Sequence, residues 1–375
     1  MKQERARIVR VLSPRVPGSS ARALISSELF DQEWSLLNYN VKNICYHDCS
    51  TGLGYDFHLR TFYFSPKGIT WMLSLPFKLI SCKPDLFVCG LATPEHYVTF
   101  IIGKLLRKPT LVLDSHWFWP NTLYAKTLWP VSKRIANSCN ALALVGRRAK
   151  AFWVKAGVKG LRICLYNYYY SNLITDKKAI EESKKIQENF KHKKIILFLG
   201  RLVALKGVDN LIKAFKISLE SQDNSVLLIV GDGPEKSSLQ NLVRSLDLKN
   251  VFFVNGKYGD DKIPYFLASA LFVYPSKNSS SVPEEWGLAI NEAMSVGKPI
   301  IVTRSVGCAF DLVENGGNGF IVNSRDIEAL AFALKTIMCD EALRTKMGDR
   351  STEIIKNYTL MQSKERLEQI ISKVV

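Results

Sequence analysis

The stretch IILFLGRLVALKGVDNLIKAFKISLE, residues 195–220, decides the fold. It opens with an unbroken apolar run that ends at Gly200, and its second half, VDNLIKAFKISLE, places apolar residues at helical spacing. A strand apolar on both sides is one covered on both faces, as in a parallel sheet. The same unit returns down the chain. VLLIVGDG (226–233) precedes the helical PEKSSLQNLVRSL, VFFVNG (251–256) precedes IPYFLASA, and LFVYPS and PIIVT (299–303) follow. RIVRVLS, DLFVCG (85–90), TLVLDSH (110–116), ALALVG (141–146) and RICLYN (162–167) repeat the style in the first half, with helical segments between them. The reading is an α/β chain with two Rossmann-like, doubly wound parallel-sheet domains facing a cleft.

The expected boundaries follow from composition. Residues 1–170 form the first domain. SNLITDKKAIEESKKIQENFKH, residues 171–192, is too charged for a core and reads as a linker with one surface helix. Residues 193–357 form the second domain, and 358–375 a C-terminal helix free to pack back on the first. Ligands of such sheets sit at the carboxyl ends of the strands, here the loops after Ser13, His116, Gly200, Gly231, Gly256 and Ser276.

The length, 375 residues, suits two domains, and 47% hydrophobic with 23% charged residues excludes a disordered chain. No apolar run reaches the roughly 18–20 residues of a membrane span. MKQERARIVRVLSP lacks a signal-peptide core, and the eight cysteines lie scattered in mostly apolar stretches, so a cytoplasmic protein with reduced thiols is expected. Cys45, His47, Asp48 and Cys49 are of metal-ligand type, but no second cluster completes them. That segment reads as a plain loop, and no metal is expected.

The net charge of +17 is uneven, with most of the excess in residues 1–170, where six of the seven tryptophans also lie. A basic, tryptophan-rich half suits an anionic membrane surface or nucleic acid. No nucleic-acid-binding motif accompanies it, so a peripheral place on the cytoplasmic face of a membrane is expected and nucleic acid is not. The candidate docking residues are Lys126, Leu128, Trp129, Lys133 and Arg134 in one stretch. Arg147, Arg148, Lys150, Phe152, Trp153 and Lys155 form another. The competing reading puts the aromatics in the core and the charges in solvent.

SVPEEWGLAINEAMSVGKPI, residues 281–300, sets two carboxylates around an otherwise apolar segment. Gly287 interrupts a continuous helix. The stretch reads as a loop carrying Glu284, a turn at Trp286-Gly287, and a helix from Leu288 to Val296 that carries Glu292. The helix start offers backbone N–H groups to an anion, and carboxylates beside an anion suit hydroxyl groups. An anion flanked by polyols is a nucleotide sugar. GRLVALKG, residues 200–207, adds Arg201 and Lys206 beside a strand's carboxyl end, in a spacing that is not a Walker loop.

ILFLGRLVALKGVDNLIKAF, IVGDGPE, VFFVNG, LFVYPS, PEEWGLAINEAMSVGKPIIVT and NGGNGFIV, in this order, resemble the donor domain of the retaining family-four glycosyltransferases, which have the GT-B fold. The first half resembles the family's acceptor domain faintly, in TLVLDSH, ALALVGRRAKAFWVKAGV and RICLYN. The resemblance implies that Arg201 and Lys206 neutralise the donor diphosphate, that Glu292 binds the ribose hydroxyls, and that Glu284 binds hydroxyls of the donor sugar. Backbone amides at Gly287, Leu288 and Ala289 would hold phosphate, Tyr258 would contact the base, and His116 would lie near the transferred sugar. Gly18 stands where the family has a glycine pair, and NYYY leaves Asn167 without the family's following glycine.

The implied reaction moves a hexose-type sugar from a nucleotide diphosphate sugar to a hydroxyl of a glycan or lipid-linked acceptor, in cell-surface polysaccharide, lipopolysaccharide or glycolipid synthesis. No Asp-x-Asp motif occurs, so the cations are expected to replace a divalent metal, and no cofactor is expected. Alternatives are a transferase with a soluble acceptor, a sugar-nucleotide epimerase of the same architecture, and a nucleic-acid-binding protein using the basic half.

Overall fold

The computed structural model describes residues 6–11, 40–44, 66–91, 93–119, 121, 123–159, 161–165, 177–219, 224–277 and 284–375. Gly18, the Cys45–Cys49 cluster, Asn167 and the serines before Pro283 lie outside the described residues. The chain divides into two compact units. The first comprises 1–145, 149–166 and 361–375, and the second comprises 146–148 and 167–360.

In the first unit, β1 (Arg7–Val11) and β2 (Asn40–Ile44) are followed by α1 (Pro66–Ser81), β3 (Leu86–Cys89), α2 (Pro94–Leu105), β4 (Thr110–Asp114), α3 (Leu123–Ser138), β5 (Ala141–Val145), α4 (Gly146–Lys155) and β6 (Leu161–Leu165). The described strands form one parallel sheet in the order β2-β1-β3-β4-β5-β6. Alternation along the strands separates two cores. Val9 and Phe87 pack under α1, with Cys89, Val112, Leu142 and Leu144 beside them under α3 and α4. Ile8, Leu86, Val88, Leu111 and Ala143 point the other way, where Leu367, Ile370 and Ile371 of the C-terminal helix Leu360–Ile371 cover them.

The second unit contains α5 (Lys177–Asn189), β7 (Lys194–Leu199), α6 (Val208–Leu219), β8 (Ser225–Val230), α7 (Lys236–Ser245), β9 (Val251–Val254), α8 (Ile263–Ala268), β10 (Leu271–Tyr274), α9 (Leu288–Ser295), β11 (Ile300–Thr303), α10 (Ala309–Leu312), β12 (Gly319–Val322), α11 (Ile327–Cys339) and α12 (Glu341–Ile355). Its described strands are again parallel, in the order β12-β11-β10-β7-β8-β9. β8, β10 and β11 are buried along their whole length, as their unbroken apolar runs require. The helix α5, read from sequence as part of a linker, belongs to this unit and buries Ala179 and Ser183.

The chain order in this sheet reverses between β7 and β10. Successive strands first add outward through β8 and β9, then on the far side of β7 through β10, β11 and β12. Helices therefore leave the sheet in opposite senses at β7 and β10, which opens a crevice at their carboxyl ends.

Candidate functional site

Lys206 and Glu284 meet at this reversal. After β7 the chain makes a short 3-10 turn, Ala204–Lys206, closed by Gly207 at φ 65° and ψ 24°. Only glycine fits there, because a Cβ would stand 2.1 Å from the Pro275 carbonyl oxygen. The turn directs Lys206 inward. Its buried ammonium donates to the Tyr274 hydroxyl at the end of β10, at 2.6 Å, and to the Glu284 carboxylate. Two residues 78 positions apart in sequence thus form one ion pair.

The stretch around Glu284 folds back on the segment after β11. The Glu284 carbonyl accepts from the Gly307 amide at 2.8 Å, and the Trp286 carbonyl from the Cys308 amide at 3.3 Å. Trp286 is buried and its indole N–H donates to Asn291 Oδ1 at 2.9 Å. The apolar Trp286 therefore pins a segment whose neighbouring carboxylate faces Lys206. Gly287, at φ 102° and ψ 61°, precedes α9 and lies 3.1 Å (from its would-be Cβ) to Val306 Cγ1. The helix ends at Ser295, one residue short of the expected Val296, which caps it. Ile290 N–H is bonded to the Gly287 carbonyl at 2.9 Å, so the amides of Leu288 and Ala289 stand ahead of the helix's own ladder.

Glu292, on α9, faces a different cation. Its carboxylate accepts from Lys262, the last residue of the 3-10 turn Gly259–Lys262. Tyr258 opens that turn with its ring exposed and its hydroxyl over Gly256. The Gly256 amide donates to Asp232 at 2.6 Å and Lys236 donates to the same carboxylate at 2.7 Å. Lys236 first, then the Gly256 amide, hold the Asp232 carboxyl below its ordinary range. Arg201 is exposed at the carboxyl end of β7.

His116 belongs to the first unit, at the carboxyl end of β4. Its Nδ1 lies 2.7 Å from Asp114 Oδ1, and its amide donates to Asp114 Oδ2 at 3.2 Å. An ionised carboxylate only accepts, so Nδ1 carries the proton of this bond and Asp114 fixes the orientation of the ring. Asp114 is itself buried and takes a 2.6 Å bond from the Trp153 indole N–H. Trp153 is fully buried, stacked on Trp129 with ring centroids 5.5 Å apart and edge-on to Trp119 at 6.1 Å. These are core contacts. Trp153 is therefore core and not a bilayer anchor, while Trp129 and Phe152 are half-buried against the same cluster.

Sequence reasoning named Glu284, Glu292, Lys206 and His116 but not their partners Tyr274, Lys262 and Asp114. Asp114 was in view as the fifth residue of TLVLDSH, two before His116. Tyr274, the polar tip of the strand LFVY, stands at its carboxyl end. Lys262 gives no signal in sequence. Among the described residues no group of three His, Cys, Asp or Glu side chains could hold a metal ion.

Residues 179–354 match the family model for glycosyl transferases group 1. A capsular polysaccharide biosynthesis glycosyltransferase of Staphylococcus aureus is 30% identical over 184 residues, 48% of this chain and 46% of that protein. This chain thus spans about half the length of that relative. An undecaprenol-linked-glycan α-1,4-N-acetyl-D-galactosaminyltransferase of Campylobacter jejuni is 25% identical over 295 residues, 78% of this chain and 76% of the relative. The crystal structure of Anabaena Alr3699/HepE in complex with UDP superimposes with a TM-score of 0.76 at 18% identity, covering 98% of this chain and 99% of the other. The fold is GT-B, and residues 179–354, most of the second unit, form a domain similar to the group 1 glycosyl transferases.

Proposed function

We propose that the protein transfers a hexose-type sugar from a nucleotide diphosphate sugar to a hydroxyl of a glycan or lipid-linked acceptor, with retention and without a divalent metal. It would act peripherally at the cytoplasmic face of a membrane, in the synthesis of cell-surface polysaccharide, lipopolysaccharide or glycolipid. One observation carries the proposal: where the second unit's sheet reverses, the buried Lys206 pairs with Glu284, and the helix that follows, α9, carries Glu292 paired with Lys262. Relatives named for capsular polysaccharide and for an undecaprenol-linked glycan support the acceptor class.

In this reading Glu292 binds the ribose hydroxyls and Tyr258 the base. Arg201, Lys206 and the amides of Gly287, Leu288 and Ala289 receive the diphosphate. The bond from the anomeric carbon to the β-phosphate oxygen breaks as the acceptor oxygen bonds to the same carbon from the leaving-group face. The acceptor's proton passes to a phosphate oxygen. Cations and helix amides already in place stabilise the leaving charge as it grows, where electrostatic catalysis is most effective. Glu284 holds sugar hydroxyls and orients Lys206. It is not assigned as a nucleophile. His116, oriented by Asp114, would contact a hydroxyl of the transferred sugar.

Calorimetry with nucleoside diphosphates tests the donor assignments. Glu292→Gln removes a charge-assisted bond to the ribose and should weaken binding by about 1.5–3 kcal/mol. Glu284→Ala should leave nucleotide affinity nearly unchanged and lower turnover. Unaltered binding in Glu292→Gln would remove the ribose assignment.

A further inference from the structure

α1 is apolar on two opposite sides. Trp71, Leu75 and Leu79 are buried against Val9 and Phe87 of the first unit's sheet. At 100° per residue, Ile69, Leu73, Phe77 and Ile80 fall within about 80° of arc on the other side and run about 16 Å along the helix. They are 48%, 69%, 74% and 46% exposed. A helix apolar on both sides is ordinarily covered on both. The neighbouring α2, whose Val98 and Ile102 pack on the same core, adds Ile101 and Leu105 at 54% and 73% exposure.

Among the described residues of α1, α2 and the turns that follow them, the exposed charges are of one sign. Lys78, Lys83, Lys104, Arg107 and Lys108 are all exposed on α1, α2 and the turns that follow them. The acidic residues between 69 and 108 are Glu95, which is buried, and Asp85, which Arg7 and Lys108 engage. α1 runs into β3 and α2 into β4, which are parallel neighbours, so both helix C-termini lie at the same edge of the sheet. The cations gather there. Lys83 and Arg107 even occupy left-handed positions, φ 44° and 53°, where glycine is the usual residue. A helix dipole alone favours cations at such ends, but it does not explain the apolar residues beside them.

We propose that the exposed face of α1 and α2 docks on an anionic lipid surface, with Leu73, Phe77 and Leu105 entering the headgroup–acyl boundary and the cations meeting lipid phosphates. A second protein copy would have to bring acidic residues to this rim, whereas an anionic bilayer supplies them everywhere. The proposal gives a lipid-linked acceptor a reason to be nearby, but its test needs neither donor nor acceptor.

The full chain is sedimented with vesicles of phosphatidylcholine alone or mixed with phosphatidylglycerol. It should pellet with the mixed vesicles only. The pair Leu73→Gln and Phe77→Gln, and separately Lys104→Glu and Arg107→Glu, should each lower the partition coefficient about tenfold or more. Circular dichroism and the thermal midpoint should match the parent chain, since these side chains are on the surface. Recovery in the supernatant with both vesicle types would overturn the proposal, as would pelleting of both folded variants like the parent. So would a dimer in light scattering that Leu73→Gln with Phe77→Gln converts to monomer while vesicle binding is absent. A chain that binds vesicles but turns over no nucleotide sugar would leave this surface standing and remove the transferase proposal instead.

Discussion

Lys206 and Glu284 form an ion pair in a place with little water, so removing one takes a counter-charge from the other. Breaking such a pair from one side costs about 3–5 kcal/mol, whereas replacing both members is often close to neutral. Lys206→Met should therefore lower stability by an amount in that range, and adding Glu284→Gln should restore most of it while activity stays lost. Urea unfolding of the two singles and the double measures this. Additive losses would mean that the two side chains do not interact. In the first unit, Asp114 fixes which nitrogen of His116 carries the proton. Asp114→Asn should lower turnover about 10- to 100-fold while nucleotide affinity in calorimetry is kept. The candidate residues were readable because glycines, carboxylates and cations sit at fixed offsets from strand ends. The pairings of Glu284 and Glu292 were not, because their partners are brought in by the fold from 78 and 30 positions away.

Periodicity made the elements legible. Fully apolar runs became buried parallel strands, and the amphipathic VDNLIKAFKISL became α6 with Leu211, Ile212 and Phe215 in the core. Periodicity says which residues share a helix face, but not which face the rest of the chain covers. That is why Trp153 read as a bilayer residue and proved to be core, while the two-sided α1 passed as an ordinary helix. The half-buried Lys298, between α9 and β11, shows the same limit for charge. Its ammonium donates to the Leu267 carbonyl at 3.0 Å, and burial pulls its pKa from 10.5 down to about 8. At pH 7 the lysine is charged both folded and unfolded, and the folded state bears the desolvation cost. Between pH 8 and about 10.5 the folded state has released the proton and the unfolded state still binds it, so this group's contribution to stability rises with pH. Lys298→Met should stabilise the protein by about 1–2 kcal/mol at pH 7, a gain that shrinks toward pH 10. Denaturation curves at the two pH values check this, and an equal gain at both would refute the cause.

At the scale of the molecule, motifs run along most of the second unit, whereas those of the first unit are scattered fragments. The second unit's motifs are tied to backbone geometry that few residues can supply, such as Gly207 against Pro275. In the first unit the described site features are side-chain contacts, Asp114 with His116 and Trp153, which leave no spacing rule. Among the described residues no helix is long and apolar enough to cross a membrane. If Arg201 and Lys206 take the place of a metal at the diphosphate, a chelator should leave turnover within about twofold, because fixed cations stabilise the leaving group without one. Loss of activity restored by manganese or magnesium would contradict that. The central claim is sugar transfer from a nucleotide donor, and the most direct measurement incubates the full chain with labelled nucleotide diphosphate sugars and a membrane lipid extract. Acceptor-dependent release of the nucleoside diphosphate from one donor is expected, with a lipid product heavier by one sugar and both signals lost in Glu284→Ala. No release and no heavier product from any donor, with a folded protein, would contradict it.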